Sequence, residues 1–187
     1  MKTKKMPKNL MLLIVLFFAS LSFSQSKLKM EKPTVVDVVN TDIFTYLTSS
    51  EDHTTLVTAL HAADLTETLS GSGPFTLFAP TNSAFKALPE GVLESLLKPE
   101  NKDKLKAILT YHVLPGNFDA RTIVNAISAN DGEADFKTVN GASISGYVEG
   151  GTVILTNATG NDIKITKADI SQSNGTIHII DSVILPE

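Results

Sequence analysis

The sequence predicts an α+β fold, mainly β, in which helices pack on a largely antiparallel β core. Three observations carry this expectation. Apolar residues recur at helical spacing early in the chain, as in Val35, Val36, Val38, Val39, Ile43, Phe44 and Leu47. From Ala134 onward the character changes to short β-rich runs separated by Asn-Gly and Gly-Gly turns. Helices precede strands with few βαβ alternations, which argues against a doubly wound parallel sheet.

The elements follow in order. The early apolar periodicity fits one or two short amphipathic helices, and the polar stretch Thr48 to Thr55 after them is expected at the surface. Leu56, Val57 and Leu60 give Thr54 to Ala62 an apolar stripe, and Gly71-Ser72-Gly73-Pro74 is a turn. Phe75 to Ala79 reads as a buried strand, with Phe75, Leu77 and Ala79 on one face and Thr76 and Phe78 on the other. Thr81 or Asn82 then caps a short helix whose Ala84, Phe85 and Leu88 face inward, because a side-chain oxygen there accepts an otherwise unpaired N–H. Asn101 and Asp119 are N-caps for helices over Lys102 to Thr110 and onward to Ile127, the first with Leu105, Ile108 and Leu109 on its apolar face. Strands are expected over Phe136–Val139, Ser143–Val148, Thr152–Thr156 and Ile163–Lys167, and a closing strand follows Asn174-Gly175.

The first residues read as an address. Lys2, Lys4, Lys5 and Lys8 precede an apolar run from Leu10 to Ala19, and the small residues Ser22 and Ser24 follow. That is the layout of a secretory signal peptide, residues 1–24, and the run is about half of what a bilayer-spanning helix needs. Residues 25–33 form an N-terminal extension and 34–187 a single domain. Of 16 Lys+Arg against 20 Asp+Glu, removal of those four lysines leaves 12 against 20, a mature charge of about −8. Such a chain repels nucleic acid, and no integral membrane segment is expected in its mature part. There are no cysteines, so disulfides, thiol nucleophiles and Cys-ligated zinc are excluded.

Catalytic patterns are sparse. Ser83 lies where a helix start needs a small polar residue, and no Gly-x-Ser-x-Gly elbow surrounds it. His53 and His61 are eight apart, off the shared i, i+4 face of a helical ligand pair. His112, His178 and Asp181 have the chemistry of a metal site, yet both histidines sit in strongly apolar runs. A buried neutral imidazole that hydrogen-bonds through both nitrogens is the simpler reading. Gly71-Ser72-Gly73-Pro74 lacks the Lys-Ser/Thr ending of a phosphate loop. Asn157-Ala158-Thr159 and Asn174-Gly175-Thr176 match the glycosylation pattern, a short one that arises by chance. No cofactor or metal is expected.

Three blocks together carry a family resemblance. They are Gly73-Pro74-Phe75-Thr76-Leu77-Phe78-Ala79-Pro80-Thr81-Asn82-Ser83-Ala84-Phe85, then Leu109-Thr110-Tyr111-His112-Val113-Leu114-Pro115, then Asn174-Gly175-Thr176-Ile177-His178-Ile179-Ile180-Asp181. In this order and spacing they resemble the two end motifs and the Tyr-His motif of the fasciclin (FAS1) domain, over roughly Thr34 to Pro186. The resemblance implies a wedge-like β-sandwich of about seven strands with a helical layer along one side. It also implies two candidate partner-binding elements. One is Asp169-Ile170, at the place of an Asp-Ile pair implicated in integrin binding in animal matrix members, although its flanks Lys167, Ala168 and Ser171 differ from theirs. The other is Tyr111-His112, whose apolar neighbours also suit the core.

The function expected is a secreted, non-enzymatic adhesion or matrix-interaction module in the periplasm, at the cell surface or outside the cell. Its partner would be a protein or carbohydrate at a surface or matrix. The alternative is a small-ligand-binding protein or hydrolase with a pocket near His112 and His178.

Overall fold

The protein is described from a computed structural model covering residues 41–186. The expected signal peptide, the 25–33 extension and the valines Val35 to Val39 lie outside the described residues. Helix α1 (Ile43–Ser49) opens on Asp42, whose carboxylate accepts the Thr45 N–H at 2.8 Å. A single 3₁₀ turn (Glu51–His53) leads into α2 (Thr54–Ala62), followed by α3 (Thr66–Ser70). The polar stretch Thr48 to Thr55 is at the surface with one correction: His53 is buried. Helices α4 (Asn82–Lys86), α5 (Val92–Leu96) and α6 (Lys102–Tyr111) complete the layer, and α7 (Ala120–Ala129) comes later.

The strands are β1 (Phe75–Pro80), β2 (Val113–Pro115), β3 (Glu133–Lys137), β4 (Ser143–Glu149), β5 (Thr152–Thr156), β6 (Asp162–Gln172) and β7 (Gly175–Ile180). They form one seven-stranded sheet in the order β2-β1-β7-β6-β5-β4-β3. The pairing is antiparallel throughout except between β1 and β7. The sheet curls until its edges approach: the Val139 N–H, just past β3, donates to the Val113 carbonyl of β2 at 2.8 Å. The result is a near-barrel with helices, the fold class expected.

Strand β1 runs through the middle of two cores. Leu77 and Ala79 face a helical core with Ile43, Leu47, Leu56, Leu60, Leu105 and Leu109. Phe78 faces a sandwich core with Ile123, Phe136, Ile144, Leu155 and Ile163. The alternation read from sequence is therefore real, but both faces are buried, so Thr76 needs internal partners.

Some boundaries and elements differ from expectation. β3 ends at Lys137, two residues early, because the Thr138 N–H and hydroxyl both turn to the Ala142 carbonyl, at 2.8 and 2.9 Å. β6 runs five residues beyond Lys167, carried by bulges. Helices α3 and α5 were not expected. Each has five residues, and α5 buries none of them fully, so neither offers a readable stripe.

Candidate functional site

Asp169 and Ile170 lie inside β6, not in the loop that a strand ending near Lys167 would leave. The register of β6 against β7 shifts between Ile165 and Lys167 and again between Lys167 and Ile170. Asp169 takes a left-handed conformation, φ 62°. Ahead of the bulges Ile163 and Ile165 face the sandwich core; beyond them Ile170 packs on the helical core, opposite Ile177. Asp169 is left exposed, and its Oδ1 accepts the N–H of Ala120 at 2.7 Å. Asp119 caps the same helix by accepting the Thr122 N–H at 2.7 Å. The hydroxyl and N–H of Thr122 hold the Asp119 carboxyl below its ordinary pKa. Two carboxylates thus satisfy unpaired donors at the positive end of α7.

His178 lies beneath this corner with no exposed surface. Its Nε2–H donates to the Phe118 carbonyl at 2.8 Å, and Nδ1 accepts the Asp169 N–H at 3.4 Å. The ring rests 5.7 Å from that of Phe78. Burial lowers its pKa, against the opposing pull of the Phe118 carbonyl and the Asp169 and Asp119 charges. Two threonines complete the anchoring. The Thr76 hydroxyl donates to the Gly116 carbonyl and accepts the Phe118 N–H, both at 2.8 Å, while the Thr176 hydroxyl donates to Asn117 Oδ1 at 2.6 Å. Side chains of β1 and β7 therefore fix the segment 116–119 from which α7 starts.

Tyr111 and His112, the other candidate partner contacts, are each 1% exposed, so a partner meeting the native surface reaches neither ring. The Tyr111 hydroxyl donates to the Ser143 carbonyl at 2.8 Å. His112 Nδ1–H donates to the Ile108 carbonyl at 2.7 Å, and Nε2 accepts the Ile184 N–H at 2.9 Å. Desolvation lowers its pKa to about 4. Both histidines are thus neutral, with both ring nitrogens engaged by backbone. Asp181 is exposed and closes the end of the β6–β7 ladder by accepting the Lys164 N–H at 3.0 Å. Among the described residues no group of three His, Asp or Glu side chains is placed to hold a metal.

Two open clefts, of about 630 and 440 Å³, flank α5 and share Glu90 and Gly91; neither is lined by a histidine. Ser83 is exposed on α4, which Thr81 caps. Asn82 instead serves α2, accepting the Thr55 N–H at 2.9 Å and donating to the Glu51 carbonyl at 2.8 Å. Both glycosylation-pattern asparagines are buried and bonded. Asn157 donates to the Leu185 carbonyl at 3.1 Å, and Asn174 donates to the carbonyls of Leu69 and Gly71 at 2.7 and 2.9 Å. Sequence reasoning missed Asp119 as a neighbour of His178, and Thr76 and Thr176 as anchors of the segment 116–119. The Asp119 cap signal was readable, but its meeting with Asp169 depends on the β6 bulge.

The family model of the fasciclin domain matches residues 51–186. Protein sll1483 of Synechocystis sp. is 47% identical over 160 residues, which cover 83% of this chain and 82% of that protein. Immunogenic protein MPB70 of Mycobacterium bovis is 34% identical over 71% of this chain and 63% of its own length. Periostin of Homo sapiens is 34% identical over 82% of this chain, which spans only 17% of periostin. Among solved structures, a FAS1 domain pair from the insect cell adhesion molecule Fasciclin I superposes with a TM-score of 0.69. It is 20% identical, over 78% of this chain and 51% of that one, a likeness of fold alone. Similarity that runs through nearly the whole described region, in sequence and in fold, leaves one conclusion: the chain belongs to the fasciclin (FAS1) domain family.

Proposed function

We propose that the chain is a secreted, non-enzymatic interaction module that binds a protein or carbohydrate at a cell surface or in an extracellular matrix. Residues 1–24 act as its signal peptide, residues 25–33 as an extension and residues 34–187 as the binding domain, working in the periplasm, at the cell surface or outside the cell. The contact is the bulged stretch of β6 around Asp169. One observation carries this reading: an exposed carboxylate, φ 62°, stands on a corner tied down by Thr76, Thr176 and His178. A rigid charged projection presents an interaction group at little ordering cost. Membership of the fasciclin domain family, whose resemblance implies an adhesive role, supports it. The engagement of both nitrogens of His112 and His178 counts against a hydrolase, since a general base needs a free lone pair facing its substrate.

The test immobilises residues 25–187 and offers envelope fractions, culture supernatant and a glycan panel at neutral pH. Saturable retention of a defined protein or polysaccharide is expected. Asp169→Asn should weaken it about tenfold or more while the melting temperature barely moves. A retained partner indifferent to Asp169→Asn would displace the contact from β6, and turnover of a small substrate would overturn the module reading.

A further inference from the structure

His178 is built to serve two masters only while it is neutral. Its Nε2–H holds the Phe118 carbonyl and its Nδ1 lone pair holds the Asp169 N–H, at 2.8 and 3.4 Å. A proton from solvent landing on Nδ1 would turn that second contact into donor facing donor. The charged groups that face the ring are the carboxylates of Asp169 on β6 and Asp119 at the start of α7; from β1 the ring meets the uncharged Phe78. Both carboxylates attract an imidazolium, but each already has a partner on α7, the N–H of Ala120 for Asp169 and that of Thr122 for Asp119. Asp169 is the easier of the two to redirect, because its own N–H already faces Nδ1 and its ladder register is broken at the bulge.

We propose that His178 is an acid-sensitive latch: protonation of its Nδ1 draws the Asp169 carboxylate off the Ala120 N–H and onto the ring, reshaping the β6 bulge and loosening the first turn of α7. The role of that bulge as a contact rests on the function proposed above; the latch itself does not need a partner. At neutral pH the bulge presents Asp169 outward with its carboxylate tied to α7. In acid the same carboxylate is turned toward the interior, so a partner that needs it is released. Burial of the ring sets the transition below the ordinary histidine range.

The experiment follows the backbone amides of residues 25–187 by ¹⁵N NMR from pH 7 downward, with no partner present. The Ala120 and Asp169 amide resonances should shift together with the His178 ring protons, with one midpoint, while β4 and β5 stay unchanged. Protection of the Ala120 amide, corrected for intrinsic exchange, should fall about tenfold across that midpoint. In His178→Gln, which stays uncharged, these shifts should vanish. Should that variant fail to fold, Asp169→Asn gives the second readout. Asparagine tolerates the left-handed backbone, and its neutral amide should leave Ala120 unmoved while His178 still titrates, at lower pH than in the parent. The latch is overturned if Ala120 and Asp169 stay still as His178 titrates, or if their change coincides with global unfolding. Retention of the partner at neutral pH alongside motionless amides would sink the latch and spare the contact; moving amides with no partner retained would do the reverse.

Discussion

Asn174 places three hydrogen bonds on one amide that is 7% exposed. Its Oδ1 accepts the Ile43 N–H at 2.9 Å at the start of α1, and its Nδ2 reaches the Leu69 and Gly71 carbonyls at the end of α3. Its backbone carbonyl accepts the Phe75 N–H at 3.0 Å, so the residue joins the helical layer to the centre of the sheet. Asn174→Ala orphans two buried backbone groups and a half-buried one at once, and about 3 kcal/mol of stability should be lost in urea unfolding. Asn174→Asp should cost at least as much, since it turns an acceptor toward two carbonyls. The next residue is as constrained: a Cβ on Gly175 would lie 1.9 Å from the Phe75 carbonyl oxygen, so Gly175→Ala should fail to give soluble folded protein. The Asn-Gly pair was legible as a turn from its two letters. Its partners lie far away in sequence, and no local pattern announces them.

Among the strands expected from sequence, β1 was read closely and β6 poorly, for opposite physical reasons. β1 is regular, and a period of two determines which face each side chain takes. Leu77→Ala should therefore cost about 2–5 kcal/mol by opening a cavity in the helical core, and Phe78→Ala about 3–5 by opening one in the sandwich core. Because the two side chains face different cores, the double variant should lose close to the sum in urea unfolding. A loss well below that sum would mean that the cores share one packing unit. β6 breaks the same period. Its Ile163 and Ile165 suit one face and its Ile170 the other, which a reader of alternation takes for the end of a strand. Only pairing with β7 reveals that the chain bulges and resumes, and that pairing is tertiary. The site was legible to the same degree. The burial of the histidines followed from their apolar neighbours, whereas the meeting of Asp169, Asp119 and His178 followed from the bulge.

At the scale of the whole molecule, buried neutral histidines make acid the natural adversary of this fold. His53, His112 and His178 are all buried, and burial lowers the pKa of each, that of His112 to about 4. His53 bonds Ser50 through Nδ1 at 2.8 Å and leaves Nε2 without a partner, and burial disfavours its charged form against the weaker pull of Asp52. An unfolded chain takes up these protons near the ordinary histidine pKa of 6.5, before the folded one can. Stability should therefore be greatest above about pH 6.5, fall as pH drops, and for His112 level off near its folded value of about 4, a loss of about 3 kcal/mol from that residue. The carboxylates act in a lower window. Asp64, held down by its Lys102 partner, and Asp119, held down by Thr122, lose their contributions only as pH falls through and below the ordinary carboxylate range. Urea midpoints measured from pH 7 to pH 4.5 separate the two. His112→Asn should be less stable than the parent at pH 7, because it abandons the Ile184 N–H or the Ile108 carbonyl, yet its stability should fall less steeply, by up to about 1.4 kcal/mol per pH unit. Parallel pH profiles for parent and variant would assign the acid sensitivity to other groups and leave His112 a neutral bystander to it.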